Sequence, residues 1–93
     1  MFVKTLGNVV QLLDTSYGKT RAGKDFERRE YLLEVNGGTQ YVHSVKFSML
    51  SFDGLIQNPL EVGQYINASL KIVAQQFNGK WYNDITLTAW EPA

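Results

Sequence analysis

There is no cysteine among the 93 residues. Disulfide staples and thiolate-bound metals are therefore excluded, and the lack fits an intracellular setting. Proline occurs only as Pro59 and Pro92. No apolar run is long enough to span a bilayer, and Met1-Phe2-Val3-Lys4 does not begin a secretory signal. No membrane role is expected. Nine basic residues balance nine acidic ones, which argues against binding duplex DNA by bulk charge. A local patch is still compatible with that balance. Lys19, Arg21, Lys24, Arg28 and Arg29 fall within residues 15–29, against only Asp25 and Glu27. The length is that of a single domain, residues 1–93, able to bury a core without staples.

Catalytic chemistry is equally sparse. His43 is the one histidine, and its place in a strand-like run predicts a partly buried structural side chain rather than a general base. Asp14, Asp25, Asp53 and Asp84 are scattered, and nothing has metal-ligand spacing. No glycine-rich phosphate loop is present. The expectation is a protein that is not an enzyme and uses no metal and no cofactor.

The strongest positive signal is Asn78-Gly79, set between two strand-like runs. A type I′ hairpin turn needs positive φ at both central residues, which Asn-Gly supplies. A two-residue loop pairs Phe77 with Lys80 and fixes every later pair of the hairpin. One face then holds Ala68, Leu70, Ile72 and Ala74 opposite Ala89, Leu87, Ile85 and Asn83, an apolar, core-like set. The other holds Lys71, Val73, Gln75 and Phe77 opposite Thr86, Asp84, Tyr82 and Lys80.

Upstream, residues 2–13 read as a strand whose alternation shifts phase near Gly7, where a bulge or sharp bend is expected. Such a bend lets one strand serve two parts of a small barrel. Residues 14–24 have the composition of a mobile loop, broken by Gly18 and Gly23. Residues 25–35 form a second strand with Tyr31, Leu33 and Val35 on one face and Phe26, Arg28, Glu30 and Leu32 on the other. Asn36-Gly37-Gly38 is a turn. Residues 39–50 form a third strand, with Tyr41, His43, Val45, Phe47 and Met49 sharing a face. Residues 51–60 suggest a short helix lined by Phe52, Leu55 and Ile56 and closed by Pro59. The expected fold is all-β: a five-stranded OB-fold barrel with a short helix between strands 3 and 4. An open sandwich of similar strand count is the alternative.

Aromatics interleaved with cations suggest single-stranded nucleic acid, held by positive charge along the backbone and by flat rings under the bases. The working surface of an OB-fold is the face of strands 2 and 3 with the flanking loops. The candidate phosphate contacts are Lys19, Arg21, Lys24, Arg28, Lys46, Lys71 and Lys80. The candidate stacking residues are Phe26, Phe77 and Tyr82, with Tyr17, Phe47 and Trp81 in reserve. Phe47 is in phase with Val45 and Met49, so core packing competes there. Trp81 falls on the core side of the hairpin and could close the barrel end instead. Trp90 reads as structural. Glu30 and Asp84 oppose phosphate binding.

The run Phe77-Asn78-Gly79-Lys80-Trp81-Tyr82-Asn83-Asp84-Ile85 resembles the end of a group of small bacterial and phage OB-fold proteins similar to single-stranded DNA-binding proteins. The resemblance extends to the first loop, Thr20 to Lys24, and to Glu30-Tyr31-Leu32-Leu33-Glu34. It continues through Val45-Lys46-Phe47 and Leu60-Glu61-Val62-Gly63. It implies an OB barrel, a role with single-stranded DNA in replication, and a homo-oligomer. Ser48-Met49-Leu50-Ser51-Phe52 departs from the Trp or Gly-Lys common after the Val-x-Phe run. The long acidic tail of housekeeping members is lacking, which implies a phage or accessory version. The expected setting is the cytoplasm of a bacterium or an infected cell. Two other readings use the same fold: a protein-interaction module without nucleic-acid binding, and a binder of single-stranded RNA or a sugar.

Overall fold

β1, Phe2–Lys19, runs unbroken past two partners. The computed structural model describes residues 1–35, 42–52 and 54–93. Within them β1 is followed by β2 (Asp25–Val35), β3 (His43–Ser51), β4 (Tyr65–Phe77) and β5 (Lys80–Pro92). The strands close into a barrel in the order β1-β2-β3-β5-β4. The first part of β1 pairs with β4 and the rest with β2, and Asn8 changes partner, facing both Tyr65 and Glu34. Gly7 stands just before the change. A Cβ on it would lie 2.8 Å from the Glu34 carbonyl oxygen and 2.8 Å from Leu33 Cγ, so only glycine lets the strands approach this closely. Two register shifts follow, leaving Val10 and Leu13 without partners on β2. The phase change expected near Gly7 thus marks where β1 passes from one neighbour to the other.

The core is built from alternate residues of all five strands plus one residue of the β3–β4 connection. Val9, Tyr31, Leu33, Phe47, Leu60, Ile66, Ala68, Leu70 and Leu87 are buried together. Val45, Met49, Ile85 and Trp90 pack against them. The Tyr31 and Phe47 rings stack, with centroids 5.8 Å apart.

The β4–β5 turn follows the sequence expectation. Asn78 has φ 52° and Gly79 φ 79°, and Phe77 pairs with Lys80. Predicted partners hold back to Leu70 and Leu87. A bulge then leaves Thr88 unpaired and sets Trp90, not Ala89, opposite Ala68.

Three expectations are corrected. Residues 14–19 are not a mobile loop: they continue β1, paired with Asp25 to Glu30 of β2. The turn is confined to Thr20 to Lys24, where the Lys24 carbonyl accepts from Thr20 N–H at 2.8 Å and Gly23 takes φ 79°. No helix forms among the described residues between β3 and β4. That segment is held open by distant groups. The Glu27 carboxylate accepts from Ile56 N–H at 2.8 Å, and the Leu60 carbonyl accepts from the Tyr31 hydroxyl at 2.8 Å. The Asp25 carbonyl accepts from Gly54 N–H at 2.9 Å. Backbone groups bonded to the barrel are not available for helical bonds, and Gly54 at φ 97° is outside helical space. Third, His43 is exposed at the first position of β3 rather than partly buried. The turn expected at Asn36-Gly37-Gly38 and the strand start from Thr39 to Tyr41 lie outside the described residues.

This topology places the two hairpin turns apart. β2 and β3 are antiparallel, so the β1–β2 turn lies where β3 ends; Glu27 faces Ser51. β3 and β5 meet in parallel at Ser48 and Thr86, so the β4–β5 turn lies where β3 begins. The nine residues of β3 separate them by roughly 25–30 Å.

Candidate nucleic-acid interface

Past Ile72 and Ile85 the β4–β5 hairpin leaves the barrel, and every residue from 73 to 84 is exposed. A hairpin this far out has two wet faces. Cross-strand pairing puts Phe77 with Lys80 and Gln75 with Tyr82 on one of them. Phe77 and Tyr82 are diagonal neighbours, about 7–8 Å apart on a regular ladder, and are 68% and 53% exposed. Large aromatic rings left this open are unusual unless something covers them. Lys80 adds a cation beside them, while Asp84, within 3.5 Å of the Gln75 amide, adds an opposing charge. Trp81 pairs with Gln76 on the reverse face and is 68% exposed, so it does not close the barrel end.

The outer face of β2 and β3 is less open than its sequence suggests. Phe26 is half-buried. Its ring covers Gly18, where a Cβ would lie 2.4 Å from Phe26 Cε1, and lies 6.4 Å from the Phe52 ring. Arg28 donates from Nε and Nη2 to Ser48 Oγ at 3.2 and 3.1 Å and pairs with Glu30 at 3.0 Å. Asp14 faces Glu30 across the ladder, so the acids on this surface offset Arg28 and the exposed Lys46. Phe47 is 1% exposed with its ring against Tyr31, so it has no face to offer a base; it is corrected to a core residue.

At the β1–β2 turn Lys19 lies 3.8 Å from Asp25, and Arg21 and Lys24 are exposed. Tyr17 is exposed but pairs with Glu27, placing it on the face opposite Phe26. Lys71 is exposed between Phe2 and Thr86. The structure therefore brings together Phe77, Lys80 and Tyr82 at one end and Phe26 and Arg28 at the other, while Lys19, paired with Asp25, shares the face of Tyr17. Trp81 and Tyr17 point away from both groups.

Two features are not apparent from sequence alone. Glu27, which in sequence is only an acid within the basic segment, is 1% exposed and accepts from Arg29 Nε at 2.6 Å as well as from Ile56. Burial pushes its carboxyl up, but the hydrogen bonds from Arg29 and Ile56 with the Arg29 charge outweigh this, and its pKa lies below the ordinary value. The bond to Glu27 in turn raises Arg29. The spacing Glu27-x-Arg29 puts both on the Tyr31–Leu33 side of β2, the one available signal. The second feature is a set of exposed apolar side chains on the outer face of β1 and β4, where Phe2, Leu6 and Tyr65 are 74%, 49% and 47% exposed among Lys4, Asn8, Asn67 and Lys71. Its one trace in the sequence is that Phe2 and Leu6 share a face of β1, with Lys4 between them.

A family model described as a domain of unknown function, DUF3127, matches residues 4–91, and the chain belongs to that family. No curated protein matches it in sequence. Among solved structures it is similar to a small single-stranded DNA-binding protein from Streptomyces coelicolor. The TM-score is 0.54 at 15% identity, over all of this chain and 94% of that one. At this identity the likeness establishes the OB-fold. No helix among the described residues is long and apolar enough to cross a membrane.

Proposed function

We propose that this protein binds single-stranded DNA on the outside of its barrel, with the tip of the β4–β5 hairpin as the principal contact. The observation that carries the reading is the pair of exposed rings, Phe77 and Tyr82, flanking Lys80 on one face of a hairpin that projects from an OB barrel. The fold shared with a DNA-binding protein from Streptomyces supports it. The rings stack on bases and Lys80 meets a phosphate. Lys46 and Arg28 extend the path along β3 toward Phe26, Lys19, Arg21 and Lys24, with Lys71 to one side. Because Arg28 and Lys19 already have acidic partners, stacking outweighs charge, and any base sequence is accepted. The protein acts by binding alone, without catalysis, in the cytoplasm of a bacterium or an infected cell, where exposed single strands arise during replication. Titrating labelled oligo-dT with the protein at low salt should raise its anisotropy. A flat titration in folded protein would defeat the proposal. Competition between oligo-dT and oligo-U then ranks DNA against RNA.

A second reading, a protein-interaction module, is favoured by the open Phe2, Leu6 and Tyr65 surface of β1 and β4. A pulldown that survives nuclease, together with failed oligonucleotide binding, would select it. Light scattering would show whether a second copy is the partner.

A further inference from the structure

A cleft of about 550 Å³ lies between the β3–β4 connection and the end of β5, lined by Gln57, Asn58, Pro59, Glu61, Gln64 and Trp90. Trp90 is near the end of β5, whereas Lys80 begins it, so the cleft and the hairpin tip are at opposite ends of a 13-residue strand. The DNA-binding proposal makes no use of the cleft. We infer that it is a binding site for a neutral sugar, stacked on the Trp90 indole and held by the carboxamides of Gln57, Asn58 and Gln64 and the carboxylate of Glu61.

The lining selects the ligand class. It contains three carboxamides, one carboxylate, one indole and a proline, and no cation. A phosphate or carboxylate ligand would meet Glu61 with nothing to offset it. A nucleotide within a strand would bring its phosphates to the same place. A guanidinium or ammonium needs acceptors on all sides, whereas each carboxamide presents donors as well as an acceptor. Sugar hydroxyls both donate and accept, which matches carboxamides, and a carboxylate accepts from two hydroxyls at once. A pyranose also has a flat C–H face, which suits a flat apolar ring beneath it. The volume falls within the range of about 300–1,000 Å³ for small-molecule sites.

The cleft is also organised before any ligand arrives. Trp90 is paired with Ala68 and packed against the core. The opposite wall is a turn in which the Gln64 amide oxygen accepts from Glu61 N–H at 2.6 Å, with Gly63 at φ 100°. That turn is fastened to β1, because Val9 N–H donates to the Gln64 carbonyl at 2.8 Å and Gly63 N–H to the Val9 carbonyl at 2.7 Å. Ordering the wall therefore adds little to the cost of binding.

The chain has two tryptophans, so Trp81→Phe leaves Trp90 as the single reporter. The test titrates this variant with glucose, galactose, mannose, N-acetylglucosamine and ribose, and separately with guanosine and inorganic phosphate. At least one sugar should change Trp90 emission saturably at millimolar concentration, and phosphate should not. Asn58→Ala and Glu61→Ala, both at exposed positions, should weaken that response roughly tenfold while circular dichroism shows the fold intact. The inference is overturned if no sugar responds, if both variants respond like the parent, or if only guanosine or phosphate binds. Failure of oligo-dT binding would leave it untouched, since the two sites share no residue.

Discussion

The Glu27 carboxylate accepts the backbone N–H of Ile56 at 2.8 Å, across 29 positions of sequence, and so ties β2 to the connection that covers one end of the barrel. Its other oxygen accepts from Arg29 at 2.6 Å. Glu27→Leu would remove the carboxylate that pairs with Arg29 and leave Ile56 N–H without its acceptor. Arg29 is a quarter exposed, so the cost belongs near the lower end for a broken buried pair, about 3 kcal/mol. Urea midpoints of the two proteins measure it.

The same carboxylate predicts a pH dependence. Its pKa is lower folded than unfolded, so its contribution is complete above the unfolded value, about 4.3 for glutamate, and is lost as pH falls through the folded value. Glu27→Gln keeps an acceptor for Ile56 but cannot titrate. The stability gap between wild type and Glu27→Gln should be constant near neutrality and shrink below the ordinary glutamate range. Urea unfolding at a series of pH values would show it.

Tyr31→Phe removes the hydroxyl that donates to the Leu60 carbonyl at 2.8 Å in the barrel interior. The ring still packs on Phe47, so the loss is the hydrogen bond and the unsatisfied carbonyl, about 1–2 kcal/mol. Hydrogen exchange should rise in the β3–β4 connection more than in the strands.

Gly7 and Gly18 both face crowded neighbours, with different consequences. At Gly7 the obstruction includes the Glu34 backbone carbonyl, which cannot swing aside. Gly7→Ala should cost about 1–3 kcal/mol by overpacking. At Gly18 the obstruction is the outer edge of the Phe26 ring. Gly18→Ala should push that ring outward at smaller cost and leave Phe26 more accessible. Thermal unfolding of the two variants ranks them.

These residues also show what the sequence could and could not disclose. The β4–β5 register was legible because Asn78-Gly79 fixes it locally, and β2 because Tyr31, Leu33 and Val35 share one face with Glu30, Leu32 and Glu34 on the other. The outer part of β1 was not legible. Residues 14–19 run past the barrel with most side chains exposed, so no apolar alternation marks them as strand. They are ordered by pairing with β2 and by Phe26 covering Gly18. The helix expected over 51–60 failed because its competitor, Glu27, is remote in sequence. At the candidate site, identifying Phe77, Lys80 and Tyr82 needed only the turn. Burial of Phe47 and the pairing of Arg28 with Glu30 depended on the closed barrel.

If Phe77 and Tyr82 are the stacking platform, the most direct measurement is the anisotropy of labelled oligo-dT titrated with wild type, Phe77→Ala, Tyr82→Ala and Lys80→Ala across a salt series. Each ring removed should cost about 1–3 kcal/mol, roughly 5- to 150-fold in affinity. Lys80→Ala should reduce the slope of log affinity against log salt by about 0.7. Wild-type binding that all three substitutions leave unchanged, or no binding by wild type at low salt, would contradict the account.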